Sequence, residues 1–207
     1  MSTSPASVPV QNPLGLPRGS VRGILSLMIT GLFWLLLFLP EGNRPIVIPL
    51  NHYFLLSLVL LFFVTRSYPE ERVRVSEADG YPFYITLIRL VIVGGTIAVV
   101  IYQYLNHHER FFQRITPTSE QMKDWPSYFM AMVLGFGLGY LFQLVPTHNH
   151  WMVQAVKAWI SIIAMFSFVA EILIQAFIRP NLAESVDLLA WQTIVTGLVA
   201  FYFGARS

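Results

Sequence analysis

The sequence predicts an all-α protein, a polytopic membrane helix bundle of about six transmembrane helices with no soluble domain. Composition is the first observation: of the 207 residues, 55% are hydrophobic and 12% are charged, whereas a typical soluble domain has about 25% charged residues. The second observation is that the apolar residues are grouped in long blocks. Each block is close to the roughly 20 residues that a helix needs to cross about 30 Å of hydrocarbon.

The polar segment before the first block is predicted to be an arm, residues 1–19, which precedes a transmembrane helical domain of residues 20–207. Repeated prolines in the arm oppose helix formation and favour extended chain. We expect a flexible tail, and docking onto a partner subunit is the alternative. The prolines are Pro5, Pro9, Pro13 and Pro17.

The first apolar block has clear helix boundaries, whereas the second is interrupted by polar residues. Ser20 is a suitable N-cap for the first block, and Pro40 follows its end. This block is longer than the apolar core of a cleaved signal peptide, about 7–15 residues, so we interpret it as a retained helix. The second block has Asn51 and His52 near its start, which leaves it a short strictly apolar part.

The other four blocks are bounded mainly by proline. The third follows Pro82, and Pro180 stops the fifth. The fourth lies between Pro126 and Pro146. The predicted helices lie near residues 21–39, 46–65, 83–105, 127–145, 151–178 and 186–203.

Charge near the first helix predicts the orientation. An even number of helices places both termini on the same side of the membrane. Arg18 and Arg22 flank the first helix, and positive residues there usually mark the cytoplasmic side. We therefore expect an integral protein of the bacterial cytoplasmic membrane with both termini in the cytoplasm.

Small residues recur along one face of the fourth predicted helix. Ala131, Gly135 and Gly139 are spaced by four residues, which puts them on the same side of a helix. A Gly-xxx-Gly pair lets a second helix backbone approach closely. We interpret this face as a helix-packing surface, and a pore lined by glycine is the alternative.

Polar residues follow one face of the fifth predicted helix at steps of mostly three or four. A polar side chain in hydrocarbon costs free energy, so this face is expected to look into the bundle or at a partner subunit. The intramembrane candidates for ion or lipid binding are Arg89 in the third helix and Lys157, Glu171 and Gln175 in the fifth.

Depth along the helices separates these candidates. Arg89 and Lys157 each lie about two turns from the predicted helix start, near the cytoplasmic face. They are interpreted either as cations that snorkel to the headgroups or as an anion or acidic-lipid site between the third and fifth helices. Glu171 lies nearer the opposite face, which disfavours an ion pair with Arg89. It is interpreted either as a packed, hydrogen-bonded carboxylic acid or as a proton or cation site.

Few features of the sequence favour a metal site or a catalytic site. The fourth helix separates His107 and His108 from His148 and His150, so the two groups cannot share an ion. Cysteine is absent, and no phosphate-loop or serine-nucleophile motif occurs. We therefore predict no metal site and no cofactor, and we favour a role that is not enzymatic. The stretch HERFFQRI, residues 108–115, is expected to lie on the membrane surface or to extend the third helix.

The favoured function is a non-catalytic integral membrane subunit that packs within a larger membrane protein complex and helps to assemble or stabilise it. The expected partners are membrane lipids and other membrane protein subunits, with no nucleic acid. One alternative is a small oligomeric transporter or channel that uses the polar face of the fifth helix. Another is a membrane enzyme that uses the outer histidines.

Overall fold

The computed structural model describes residues 20–40, 46–64, 83–144, 151–179 and 187–205. All regular structure in these ranges is helical, which confirms the all-α prediction for this part of the chain. The predicted arm, residues 1–19, lies outside the described residues, as do His148 and His150.

Seven α-helices follow one another in the described ranges, and two of them continue into a π-helical turn. Helix α2 (Leu50–Val59) continues as the π-helix Leu60–Val64. Helix α6 (Trp151–Leu173) continues as the π-helix Ile174–Ile178. The other helices are α1 (Ser20–Phe38), α3 (Phe83–Asn106), α4 (His108–Ile115), α5 (Trp125–Leu144) and α7 (Leu189–Ala205).

Four of the described helices are long and apolar enough to cross a membrane. Two more are apolar but shorter, Leu50–Val64 and Leu189–Ala205. At about 1.5 Å per residue these two are about 22 and 26 Å long, just short of the hydrocarbon thickness of about 30 Å. The described chain is therefore a multi-helix bundle of membrane type, and a crossing by all six apolar helices stays a prediction. The four long spans are Val21–Phe38, Thr86–Asn106, Trp125–Leu144 and Ala158–Ile178.

Local chemistry sets the helix starts that differ from the predicted ones. Helix α2 begins at Leu50, because Pro49 has extended backbone angles (φ −61°, ψ 140°) and proline also disfavours the helical region for the residue before it. Helix α7 begins at Leu189, whose backbone N–H donates to Oδ1 of Asp187 at 2.9 Å in the manner of an N-cap. Helix α4 is separate from α3, because His107 (φ −142°, ψ 47°) breaks the helix between them.

The core lies where α1, α2, α6 and α7 meet. Leu25, Ile29 and Leu36 of α1 are almost fully buried, as are Phe168 of α6 and Phe203 of α7. Helix α5 packs along α7, and α3 packs on α1 and on the π-helical end of α2. The outer side of α3 presents apolar side chains, as expected for a surface that contacts lipid or another subunit. They include Leu87, Leu90, Ile97, Ile101 and Leu105.

Candidate functional site

Glu171 is the centre of a buried polar cluster between α6 and α7. Its side chain is 1% exposed. The Nε2 group of Gln175, one turn later in the chain, donates to Oε1 of Glu171 at 3.0 Å. The indole Nε1 of Trp191 donates to Oε2 at 2.7 Å. Both carboxyl oxygens therefore accept a hydrogen bond, and one of these bonds joins α7 to α6.

A line of polar side chains connects this carboxyl to the end of α6. Nη1 of Arg179 donates to Oε1 of Gln175 at 3.0 Å, and Gln175 in turn donates to Glu171. Arg179 is exposed, and its positive charge acts on the Glu171 carboxyl. Gln175 lies in the π-helix Ile174–Ile178, and such turns are frequent at functional sites in helices.

Two polar residues of α2 reach the interior beside this cluster. Asn51 is 1% exposed, and its amide lies against the Glu171 carboxyl. Neither amide atom has a partner with hydrogen-bond geometry among the described residues. No sequence pattern places Asn51 beside Glu171, because the two residues belong to helices that are far apart in the chain.

His52, the next residue of α2, is also buried. Its ring stacks between Phe33 and Phe168, with ring centroids 6.4 Å away on each side. The backbone of Ile29 hydrogen-bonds to the ring, while Nε2 has no hydrogen-bond partner in the described part of the chain. His107 and His108 are exposed, so His52 cannot join them in a metal site.

A second polar contact joins α5 to α7 near the same end of the bundle. Oη of Tyr128 donates to Oε1 of Gln192 at 2.7 Å, and both side chains are buried. The charges of Glu171, Arg179 and Asp187 all act on this tyrosine. Tyr128 is therefore buried against α7 and joined to it by a hydrogen bond.

Arg89 contacts the π-helical end of α2, and an anion site shared with Lys157 stays a prediction. The guanidinium carbon of Arg89 lies 5.5 Å from the ring centroid of Phe63, at the π-helical end of α2, a distance suited to a cation–π contact. Helix α3 packs there and on α1. The side chain of Lys157 lies outside the described part of α6.

The small-residue face of α5 lies directly against α7. A Cβ atom at Gly135 would overlap the carbonyl oxygen of Gly197, and one at Gly139 would overlap that of Phe201. The contact is reciprocal, because a Cβ atom at Gly204 would overlap the carbonyl oxygen of Phe136 on α5. A Cβ atom at Gly197 would lie at ordinary contact distance from Ala131, 3.6 Å from its carbonyl oxygen. These residues form a backbone-to-backbone contact between α5 and α7.

Arg114 of α4 is a buried cation that caps the end of α1. It is 4% exposed. Its Nη1 donates to the carbonyl oxygens of Leu36 and Leu37 at 2.9 and 2.8 Å, and its Nη2 donates to that of Leu39 at 2.7 Å. The last carbonyls of a helix have no hydrogen-bond partner within it, and they form the negative end of the helix dipole. The guanidinium of Arg114 supplies both the missing donors and a favourable positive charge.

Other bonds fix α4 at the same place. The carbonyl oxygen of Arg114 accepts from the backbone N–H of Ile48 at 3.0 Å. That of Ile115 accepts from Oη of Tyr53 at 2.7 Å. Gln103 of α3 donates to the carbonyl oxygen of Leu37 at 3.0 Å. The ends of α1 and α3 and the start of α2 are therefore joined around Arg114.

Two substitutions of Glu171 should show how much its hydrogen bonds, rather than its size, contribute to stability. Glu171→Leu leaves the donors of Gln175 and Trp191 without their acceptor, which should lower the free energy of unfolding by about 3 kcal/mol. Glu171→Gln keeps one acceptor oxygen and should cost about 1 kcal/mol. Thermal unfolding in detergent measures both. Trp191→Phe, which removes only one donor, should resemble the Gln variant, and a Leu variant as stable as the wild type would contradict this assignment.

Chemically, the cluster offers a carboxyl, two amides, an indole N–H and a nearby guanidinium. It suits hydrogen bonding and proton exchange better than metal binding, because the donors already point at the carboxyl. No group of three His, Asp or Glu side chains that could hold a metal ion occurs in the described ranges. Comparison of the chain with known protein families, with curated proteins and with solved structures finds no match.

Proposed function

We propose that the protein is a non-catalytic integral membrane subunit that packs within a larger membrane protein complex and helps to assemble or stabilise it. The observation that carries this proposal is that side-chain hydrogen bonds in the apolar part of the chain join one helix to another. Such use is typical of a structural role in a helix bundle. These contacts are Trp191–Glu171, Tyr128–Gln192 and Trp34–Thr96.

The outer side of α3 is the surface we propose for a neighbouring subunit. It is apolar and exposed along its length, and Gly94 lies on it. A Cβ atom at Gly94 would meet nothing within 4 Å, so the chain itself does not require a glycine there. Lipid is the other neighbour that such a surface accepts.

Purification of the tagged full-length protein from its native membrane in a mild detergent tests this function. We expect other membrane proteins to co-purify in fixed stoichiometry. Gly94→Leu should release them while the protein itself stays folded, because the added side chain meets only the partner. Gly137→Leu on α5 is the matched control, since Gly137 also has open space around it. A protein that purifies alone and conducts ions in liposomes would instead favour the transporter alternative.

The transporter alternative is favoured by one specific observation. Asn51 and Glu171 place polar atoms in the apolar interior beyond those needed to join α6 to α7. Buried ionisable groups within membrane helices often mark ion or proton pathways. Flux measured in liposomes, with Glu171→Gln as the comparison, separates this function from a purely structural one.

We further propose that both termini face the cytoplasm of a bacterial cell. The basis is Arg18 and Arg22 beside the first helix, together with the six predicted membrane crossings. Reporter fusions at each end that are active only in one compartment provide the measurement. Cytoplasmic activity at both ends is expected. A periplasmic signal from one end would require an odd number of crossings, and a periplasmic signal from both would invert the topology.

A further inference from the structure

The contact between Asn51 and Glu171 is incomplete in a way that indicates a ligand. Glu171 accepts two hydrogen bonds from neutral donors. The buried amide of Asn51 contacts the same carboxyl, and neither amide atom has a partner with good hydrogen-bond geometry among the described residues. An unsatisfied buried amide is costly, about 1–3 kcal/mol for each group. Protonation of the carboxyl would change this contact, because it turns one carboxyl oxygen into a donor that the oxygen of the amide can accept.

We infer that Glu171 and Asn51 form an enclosed proton-binding site between α6 and α2, in which the ligand is a single proton carried by the Glu171 carboxyl. When the proton is bound, the carboxyl O–H donates to Oδ1 of Asn51. When it is released, the carboxylate accepts from Nδ2 of Asn51 after a rotation of the amide. An amide suits both states because it is a donor and an acceptor.

The proton exchange is balanced without any further reactant. The O–H bond of the carboxyl breaks, its electron pair stays on the carboxylate, and the proton passes to water to give hydronium. The exposed end of the line from Arg179 through Gln175 lies nearest to the solvent. That end is therefore where we expect the proton to enter and leave.

Charged and titratable groups face this site from each helix around it. Arg179 at the end of α6 acts directly on the carboxyl, and it favours the ionised state. Tyr128 of α5 lies within reach of the Glu171 charge. On the α2 side, His52 follows Asn51 in the chain, and its Nε2 is buried. The acids that flank the cluster at its outer edge are Asp124, before α5, and Asp187, before α7.

Infrared difference spectroscopy of the full-length protein in lipid nanodiscs tests this site directly. Between about pH 5.5 and pH 9, a range in which exposed carboxyls are already ionised, we expect the C=O stretching band of a protonated carboxylic acid to disappear as the pH rises. Glu171→Gln should lose this band. The matched control is Glu109→Gln, which removes an exposed acid of α4 and should keep the band. A pH-dependent band that persists in Glu171→Gln, or the absence of any such band in the wild type, would overturn the inference.

Asn51 has its own test in the same spectra. Asn51→Leu removes the acceptor of the carboxyl O–H and should shift the Glu171 band, and Asn51→Ser provides the same measurement if the Leu variant does not fold. An unshifted band would remove Asn51 from the site. This inference is independent of the proposed structural function, because the band is measured on the purified chain, whereas failure of that function appears as the absence of co-purifying subunits.

Discussion

Gly139→Ile is expected to prevent α5 from packing on α7. Even a single Cβ atom at this position would overlap the carbonyl oxygen of Phe201 and lie 2.8 Å from the backbone nitrogen of Ala205. Backbone atoms of a helix cannot rotate away as a flexible side chain can, so the two helices must separate. The expected loss is at least about 3 kcal/mol in the free energy of unfolding, the upper part of the usual range for an overpacked core.

The helix carries a matched control for this effect. Gly137 lies between the two contact glycines, and a Cβ atom there would meet nothing within 4 Å. Gly137→Ile should therefore stay folded, although its helix propensity and its bulk change in the same way. Size-exclusion chromatography after detergent extraction, followed by thermal unfolding, compares the two variants. Equal recovery of folded protein from both would show that the contact between α5 and α7 does not stabilise the bundle.

Arg114→Met should produce the second large loss of stability. Methionine fills similar space but leaves the carbonyl oxygens of Leu36, Leu37 and Leu39 without the guanidinium that now donates to them. Only Leu37 keeps a side-chain donor, from Gln103. A buried acceptor left without its donor costs about 1–3 kcal/mol, and because three carbonyls lose the guanidinium we expect a total loss of about 3 kcal/mol or more.

Two further variants test whether this loss comes from the several N–H donors of the planar guanidinium. Arg114→Lys keeps the charge but presents its donors from a single nitrogen, so it should restore only part of the stability. Arg110→Met removes an arginine from the exposed side of the same helix and should change the free energy of unfolding by about 0.5 kcal/mol or less. Thermal unfolding of the three variants in one detergent ranks their stabilities. Equal stability of the Met variants at both positions would contradict the capping role.

Properties that depend on neighbours in the chain were accessible from the sequence. Hydrophobic blocks of about 20 residues and proline boundaries predict helices close to those that the structure shows. The spacing of Gly135 and Gly139 indicates a surface for close packing because both lie on one side of any helix. The period of the polar residues in α6 places Glu171 and Gln175 on the same face as Phe168, a residue that the structure buries.

Properties that depend on distant parts of the chain were not accessible. Arg114 lies in a stretch that the sequence predicts on the membrane surface or as an extension of the third helix, and only the tertiary structure brings it to the end of α1. From the sequence, Asn51 and His52 are simply polar residues near the start of a helix. The contact of α2 with α6 places both side chains in the buried interior. Trp191 resembles any interfacial aromatic residue, and only the tertiary structure brings its indole to Glu171. No local period or spacing encodes such partnerships, because each one joins helices that pack only after folding.

The arginine cap has a consequence for the order in which the protein is made. Arg114 lies 75 to 78 positions after the carbonyls that it satisfies. At a synthesis rate of about 5–20 residues per second, α1 leaves the ribosome roughly 4–15 s before its cap. Throughout that interval the end of α1 has to bind water or lipid headgroups, since no hydrocarbon can satisfy its carbonyls. The first helix can therefore reach its final packing only after the chain through α4 has been inserted. A nascent chain stalled before Arg114 should be an early target of membrane proteases.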